Sequence, residues 1–178
     1  RERIGLVSQD PVLFHDTIFE NVALGRKVVT LKQVEDACRA AGAADFIERL
    51  PQGYQTRLGD PALTFSAGQR QKLAIARVVL KDPSILVLDE ATANLDAASE
   101  REVMEALRRL FRGRTVVMIA HQLSALPTFD RIVVMSQGKV VEQGSHPELI
   151  ASDGLYRRLY ELQKLEPILL EPKQPAAL

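Results

Sequence analysis

The sequence predicts an α/β domain with a mostly parallel β-sheet and a helical subdomain. Three short apolar segments, at residues 4–7, 85–88 and 116–119, show no polar alternation, and amphipathic helices separate them. Strands of this kind are typical of a parallel sheet that is covered on both faces. With 178 residues, 46% of them hydrophobic, the chain is long enough for one domain with its own core.

Capping boxes and apolar spacing predict the helices of the subdomain, which we place at about residues 28–80. Thr30 and Gln33 mark the start of one helix, and Ser66 and Gln69 mark the start of another. Both helices carry apolar residues three or four positions apart. These residues are Leu31, Val34, Cys38, Ala41, Leu73, Ala76, Val79 and Leu80.

Further elements are predicted towards the end of the chain. Residues 103–110 carry a helical apolar stripe, and a hairpin is expected at 131–142. A last helix at 155–165 closes a domain that we place at residues 1–165. Residues 166–178 contain three prolines and are predicted to form a flexible tail.

The composition excludes several classes of protein. The 23 basic and 23 acidic side chains balance, so the sequence lacks the basic excess that is typical of nucleic-acid-binding proteins. The longest apolar run, at 116–120, is far shorter than a membrane-spanning helix. Cys38 is the only cysteine, which excludes an internal disulfide and suits a reducing compartment. Because the chain opens on Arg1 and runs straight into a strand, we expect it to be cut from something longer.

Two acidic residues, Asp89 and Glu90, directly follow the apolar strand at 85–88. In an α/β fold the carboxyl ends of parallel strands form the ligand-binding edge, where carboxylates are costly unless a cation or a proton-transfer task holds them. In sites of phosphoryl transfer, one acid holds Mg²⁺ and another polarises the attacking water. The pair therefore predicts such a site, or else a solvated acidic turn at the end of a strand.

Polar residues also follow the other two strands. His121 comes after the segment 116–120, and Gln9 follows the strand at 4–7. If the strands are neighbours, the imidazole of His121 lies near the acid pair and can hold a γ-phosphate or orient the water. The amide of Gln9 would reach the Mg²⁺ or the same water. Each of these two residues has an ordinary structural explanation when it is taken alone.

The helix that starts at Ser66 is a further candidate for contact with phosphate. Helix N-termini present free N–H groups and a partial positive charge. Gly68 permits close approach of the backbone, and the Ser66 hydroxyl can donate to an anion. The plainer explanation is that Ser66 and Gln69 only cap their own helix.

Together these residues resemble the motifs of the ATP-binding cassette (ABC) ATPases. The similarity covers about residues 1–165, and the segments 10–14, 56–59 and 154–162 are similar to the exporter branch in particular. Gln9 resembles the Q-loop, and Phe65–Gln69 resemble the signature motif. Asp89–Glu90 resemble Walker B with its catalytic glutamate. Asn94–Asp96 resemble the D-loop, and His121 resembles the H-loop.

The resemblance implies the P-loop NTPase-like core of an ABC exporter, which binds ATP and Mg²⁺ and hydrolyses ATP to power transport across a membrane. It implies that Asp89 and Gln9 bind Mg²⁺, that Glu90 activates water, and that His121 contacts the γ-phosphate. A second ABC domain, identical or not, is implied to bind head to tail. A transmembrane domain is implied to meet residues 13–25, at the cytoplasmic face of the membrane. The residues implied to act across the interface between the two ABC domains are Ser66, Gly68, Gln69 and Asp96.

The chain departs from the family pattern at several points. Ala67 replaces a glycine of the signature, Asp60 replaces a glutamate that exporters usually have, and Gln122 replaces an arginine. No Gly-x-x-x-x-Gly-Lys-[Ser/Thr] occurs, so we expect the N-terminal strands and the P-loop (Walker A) to be missing. We therefore expect the chain alone to bind ATP weakly or not at all, and a strand missing beside 85–88 to leave a sheet edge exposed.

Two alternatives remain open. A soluble ABC ATPase of translation or DNA repair would need a basic surface or an inserted domain, and neither is visible in the sequence. A non-catalytic module that supplies its signature motif to a partner would fit the altered signature, but it leaves Asp89, Glu90 and His121 unexplained. The residues that precede Arg1 would distinguish these alternatives.

Overall fold

The computed structural model of the chain describes residues 3–59, 64–120 and 122–170. Two of the positions discussed above, Asp60 and His121, lie outside these ranges. Within the described ranges, none of the helices combines the length and the apolar character that crossing a bilayer requires.

The chain divides into two compact units, residues 1–120 and residues 121–178. The elements of the first unit are β1 (Ile4–Ser8), α1 (Ile18–Ala23), α2 (Leu31–Ala40), α3 (Ala44–Glu48), a 3₁₀ turn (Gly53–Gln55), α4 (Ala67–Lys81), β2 (Ile85–Asp89), α5 (Ala97–Phe111) and β3 (Thr115–Ile119). Those of the second unit are a 3₁₀ helix (Leu123–Thr128), β4 (Ile132–Ser136), β5 (Lys139–Gly144), α6 (His146–Ala151) and α7 (Leu155–Leu170).

The sheet of the first unit is parallel, as the apolar segments predict, and its strands lie in the order β1–β2–β3. Its register places Ile4 opposite Ile85, and Ile85 opposite Thr115. The strand β2 is therefore paired along both sides, and the prediction of a missing strand beside residues 85–88 is wrong. It is wrong because the two other apolar strands of this chain, β1 and β3, occupy both positions beside β2.

The two faces of this sheet differ in their cover. Val7 and Leu88 are fully buried in the core that the strands share with the helices. On the opposite face, Leu6 is 59% exposed, and Val117 and Ile119 are each 51% exposed. Parallel sheets are normally covered on both faces. In the described part of this chain, one apolar face of the sheet is left open, which is unusual for a parallel sheet.

The helix α4 is the central helix of the first unit, and it packs against α1, α2, α5 and β1. It begins at the capping box of Ser66 and Gln69 that the sequence predicts, and it ends at Asp82, which has a left-handed backbone (φ 50°). The end of α4 approaches β1 closely at Gly5. A Cβ atom added there would lie 2.7 Å from the Pro83 side chain and 2.8 Å from that of Val78, so no larger residue fits.

The helix α2 begins at its predicted capping box, in which Thr30 and Gln33 exchange hydrogen bonds. Val34 and Cys38 are buried as expected, but Leu31 is 47% exposed. The difference arises because Leu31 is the first residue of the helix, where the chain enters from the surface.

The second unit is built on the predicted hairpin, in which β4 and β5 pair in antiparallel fashion. Gln137 and Gly138 connect the strands, and both have positive φ, 49° and 75°. Positive φ at both central residues is the mark of a type I′ turn, whose twist matches that of the strands. A small core of Ile132, Leu149 and Tyr156 lies beneath the hairpin.

The helix α7 extends to Leu170, five residues beyond the end that the sequence predicts for it. Its first turn is fixed from β5, because the Glu142 carboxylate accepts hydrogen bonds from the backbone N–H groups of Leu155 and Tyr156. The remainder of the predicted tail, residues 171–178, lies outside the described residues.

Candidate functional site

The carboxyl ends of the three parallel strands lie side by side and form one edge of the sheet. Ser8 lies opposite Asp89, and Asp89 lies opposite Ile119. Gln9 and Glu90 are the next residues along β1 and β2. The structure therefore brings together Gln9, Asp89 and Glu90, three of the residues that the sequence singles out, at the edge where ligands bind in α/β folds.

The backbone of Glu90 is left-handed, with a φ of 48°. Its N–H donates to the carbonyl oxygen of Ile119 at 3.1 Å, and its own carbonyl accepts from the N–H of Ala93 at 2.9 Å. A left-handed conformation costs a residue with a side chain about 1–2 kcal/mol, and strain of this kind clusters at functional sites. These bonds turn the chain sharply after β2 and fix the backbone of Glu90 against β3.

The acidic side chains of the edge differ in burial. Asp89 is exposed at the last position of β2, whereas Glu90 is half-buried in the turn that follows. His121 lies outside the described residues, so its predicted contact with the γ-phosphate stays a prediction.

The oxygen atoms at this edge fit a magnesium ion that is bound together with phosphate. Within residues 3–59, 64–120 and 122–170, no group of three or more His, Cys, Asp or Glu side chains could hold a metal by itself. The edge offers the Asp89 carboxylate and the Gln9 amide oxygen. Mg²⁺ in phosphate sites typically binds one or two carboxylates and takes its other ligands from phosphate and water, so this small set of oxygens suits it.

The start of α4 is capped by its own side chains. Ser66 Oγ accepts a hydrogen bond from the Gln69 N–H at 3.1 Å, and Gln69 Oε1 accepts one from the Ser66 N–H at 2.9 Å. The plainer explanation of these residues, that they cap their own helix, is therefore correct. It does not exclude contact with phosphate, because a serine hydroxyl that accepts one bond still has a proton to donate.

The start of α5 is capped by Asp96. Its Oδ1 accepts hydrogen bonds from the N–H groups of Ala98 and Ser99, both at 3.0 Å. Hydrogen bonds from the side chain and the backbone of Ser99 hold the pKa of Asp96 below its ordinary value. Asp96 is therefore a carboxylate at neutral pH, at the surface and at the N-terminus of a helix.

These two helix starts lie against each other. Gly68 is buried, and a Cβ atom added to it would lie 2.9 Å from the Ser99 Oγ and 3.0 Å from the Ser99 Cβ. The contact brings Ser66 to Gln69, which resemble the signature motif, and Asp96, which resembles part of the D-loop, into one cluster. Sequence reasoning missed Ser99, because a serine in the first turn of a helix is commonplace.

Gln71 is a second residue that sequence reasoning missed. Its side chain is buried, and its Nε2 donates to the carbonyl oxygen of Ser8 at 3.0 Å. The bond connects α4 to the end of β1, one residue before Gln9. A signal was available, because Gln71 precedes the buried residues Ala74 and Val78 by three and seven positions and so lies on the buried stripe of the helix.

The segment that follows Gln9 is held in place by the buried side chain of Asn21 and the half-buried side chain of Arg77. Asn21 is buried and bonds the backbone of Phe14 twice, accepting from its N–H at 2.8 Å and donating to its carbonyl oxygen at 3.0 Å. Arg77 of α4 donates to the carbonyl oxygens of Asn21 and Val12, at 2.9 and 3.1 Å. Val12 and Phe14 nevertheless expose their side chains, 66% and 48% respectively.

Residues 16–18, just after that segment, pair with residues 56–58. The N–H of Ile18 donates to the Thr56 carbonyl oxygen at 2.9 Å, and the N–H of Leu58 donates to that of Asp16 at 2.8 Å. Thr17 and Arg57 form an antiparallel bridge between these bonds. Residues 16–18, which follow shortly after segment 10–14, thus lie beside segment 56–59 in the structure.

Comparisons with known proteins agree on one family. A family model described as ABC transporter matches residues 1–93, slightly more than half of the chain. The chain is 52% identical to an ATP-dependent lipid A-core flippase of Dechloromonas aromatica over 169 residues, which are 94% of this chain and 29% of that protein. It is also 52% identical to the ABC transporter B family member 19 of Arabidopsis thaliana over 164 residues, 92% of this chain and 13% of that protein.

A structural comparison gives the same result. The structure of a bacterial Atm1-family ABC exporter with ATP bound matches with a TM-score of 0.82 and 45% sequence identity, over 92% of this chain and 28% of that one. The fold is therefore that of an ABC ATPase, with a parallel sheet and helices. The chain spans less than a third of the length of each of these relatives.

Proposed function

The chain belongs to the ABC transporter family, and on that premise we propose that it is the ATP-hydrolysing part of an exporter, which moves a substrate across a membrane. The general activity of this family is ATP hydrolysis coupled to transport. The observation that carries the proposal is the sheet edge, where the strand register brings Gln9, Asp89 and Glu90 together. The similarity to an exporter structure that has ATP bound supports it.

Each residue of the edge has a role in this proposal. Asp89 and Gln9 would hold Mg²⁺, which when bound would supply positive charge against the phosphate oxygens of ATP. Glu90 hydrogen-bonds the attacking water and takes its proton, and the left-handed turn fixes the backbone from which its side chain extends. His121 donates to the γ-phosphate.

A second ABC domain completes the site in this proposal. The two domains bind head to tail, so that Ser66, Gly68 and Gln69 of each contact the ATP held mainly by the other, and Asp96 crosses the interface. The start of α4 supports this assignment, because Ser66 is exposed there and its hydroxyl, which accepts the Gln69 N–H, still has a proton to donate.

The other proposed partner is a transmembrane domain, at the cytoplasmic face of the membrane. Residues 13–25 would meet it. Support comes from the apolar side chains of Val12 and Phe14, which stay exposed although Asn21 and Arg77 fix the backbone beneath them. An ordered backbone that presents apolar side chains is typical of a binding surface.

The proposal is tested by replacing Glu90 with glutamine in the complete transporter that carries this chain. Glu90→Gln keeps the shape of the side chain but cannot take a proton, so we expect ATP turnover to fall by about 100-fold or more. Glu48→Gln, at an exposed glutamate that ends α3, is the matched control and should leave turnover unchanged.

Two measurements separate the outcomes. ATP turnover and ATP binding are followed in both variants, and we expect Glu90→Gln to abolish turnover while binding persists. Turnover that is equal in the wild type and in Glu90→Gln would contradict the proposal. Binding without turnover in the wild type itself would favour the non-catalytic module.

A further inference from the structure

The contact between Gly68 and Ser99 leaves no room for a side chain at position 68. Any Cβ there would lie 3.0 Å from the Ser99 Cβ, which cannot rotate away because it is attached directly to the backbone of α5. Contacts this short displace one of the two groups. At the first turns of the two helices, the backbone of α4 at Gly68 therefore packs directly against the Ser99 side chain of α5.

A second contact between α4 and α5 lies one turn further along both helices. Lys72 lies four residues after Gly68, and Glu102 lies three residues after Ser99. Their side chains form a salt bridge, in which the lysine is largely buried and the glutamate is mostly exposed. Both contacts advance in the same direction, so the two helices run side by side from their first turns.

Ser99 also contacts the carboxylate that caps α5. Its backbone N–H donates to Asp96 Oδ1 at 3.0 Å. One residue thus contacts Gly68 of the signature motif on one side and Asp96 of the D-loop on the other. A displacement of Asp96 therefore reaches the start of α4 as long as the Asp96–Ser99 hydrogen bond and the Gly68–Ser99 contact both persist.

We propose that Ser99 is a positioning residue that holds the Ser66 end of α4 at a fixed separation from Asp96. The inference rests on the proposed function, because the separation matters only if both residues act on nucleotide at one interface. Gly68 is then required for the fit against Ser99 as well as for the approach of phosphate. Movement of Asp96 at the interface is passed to the signature residues of the same domain through this contact.

The test is a cycle of substitutions in the complete transporter. Gly68→Ala introduces the clash, and we expect kcat for ATP hydrolysis to fall about 10-fold to 100-fold, with a smaller change in KM. Ser99→Gly removes the atoms that the new methyl group meets, so Gly68→Ala combined with Ser99→Gly should recover kcat to within about threefold of Ser99→Gly alone. The matched control is Gly68→Ala combined with Ala98→Gly, which weakens the same turn of α5 without making room and should recover nothing.

The same variants of the 178-residue chain are compared by thermal unfolding. Gly68→Ala should lower Tm by about 5 °C, and Ser99→Gly should remove most of that difference while Ala98→Gly does not. Absence of this pattern would overturn the contact itself. Recovery of Tm without recovery of kcat would show a purely structural contact and overturn the positioning role.

Failure of the proposed function gives a distinct result. If Glu90→Gln leaves ATP turnover unchanged, the proposed function fails and the positioning role fails with it, whatever the Tm values are. If Glu90→Gln abolishes turnover but the kcat of Gly68→Ala is not recovered by Ser99→Gly, the proposed function stands and only the role of Ser99 is wrong.

Discussion

Gln71 donates its side-chain amide to the carbonyl oxygen of Ser8 and so joins α4 to the end of β1. The glutamine is buried, and the carbonyl oxygen that it bonds belongs to Ser8, the last residue of β1. Gln9 is the next residue along the chain. Buried polar groups are costly when they lose their partner. The position of Gln9 at the sheet edge therefore depends on the Gln71 side chain of α4.

Replacement of Gln71 by methionine should destabilise the chain. The variant keeps the length of the side chain but leaves the Ser8 carbonyl without its donor, which costs about 1–3 kcal/mol. The free energy of unfolding in urea measures the effect. Gln52→Met, at an exposed position, is the control and should change it by less than about 0.5 kcal/mol. Equal losses in both variants would contradict the role of the hydrogen bond.

The open face of the sheet should make the chain bind apolar dyes. Val117 lies on this face, whereas its neighbour Val116 packs against the core. We expect Val117→Thr to reduce dye binding and to change the free energy of unfolding by less than about 0.5 kcal/mol. Val116→Thr places a hydroxyl among apolar side chains and should cost about 1–3 kcal/mol. If the two substitutions had the same effect on unfolding, the assignment of the faces would be wrong.

The cap of α5 should make stability depend on pH through Asp96. Its pKa is lowered in the folded chain by hydrogen bonds from Ser99, so the ionised carboxylate stabilises the fold fully above the pKa of the unfolded chain. That contribution is lost as the pH falls through the lower, folded pKa. Asp96→Asn keeps a capping oxygen but does not titrate.

Unfolding of the wild type and of Asp96→Asn is therefore compared from pH 7 down to pH 3. We expect the wild type to be the more stable above about pH 4 and its advantage to shrink below that value. A difference in stability that stays constant over the whole range would show that this carboxylate does not contribute through its charge.

The 178-residue chain by itself should hydrolyse ATP at least about 100-fold more slowly than the complete transporter. The chain contains no Gly-x-x-x-x-Gly-Lys-[Ser/Thr], and the backbone donors and lysine of such a loop provide the main electrostatic stabilisation of the transferred phosphate. Turnover by the purified chain is measured beside that of its Glu90→Gln variant. Turnover by the chain that lies within about 100-fold of that of the complete transporter, and that Glu90→Gln abolishes, would contradict this prediction.

The sequence predicts those parts of the fold that local physics determines. Apolar strands, the capping boxes at Thr30 and Ser66, and the hairpin turn all have signals within a few residues, and each is found in the structure. The helix α1 was not predicted, because its six residues are too few for an apolar period. The start of α6 was missed for the same reason, despite its capping box at Ser145 and Glu148.

The candidate site was predictable where strand ends determine it. Parallel pairing alone brings Gln9 near Asp89 and Glu90, and that pairing follows from the type of strand. Which strands pair with β2 could not be predicted in the same way. Any apolar strand can lie beside it, and the sequence does not say which one does. The contacts of Gln71 with Ser8 and of Ser99 with Gly68 join residues that are 63 and 31 positions apart, and nothing local in the sequence indicates them.

The crowding around α4 restricts how this chain can change in evolution. Helices lie on several sides of it and the sheet lies on another, and of its 15 residues only Arg70 is exposed. A mutation almost anywhere along it must therefore satisfy a neighbour in another element at the same moment. We expect homologous chains to vary least along this helix, and to tolerate a polar exchange most readily at Arg70.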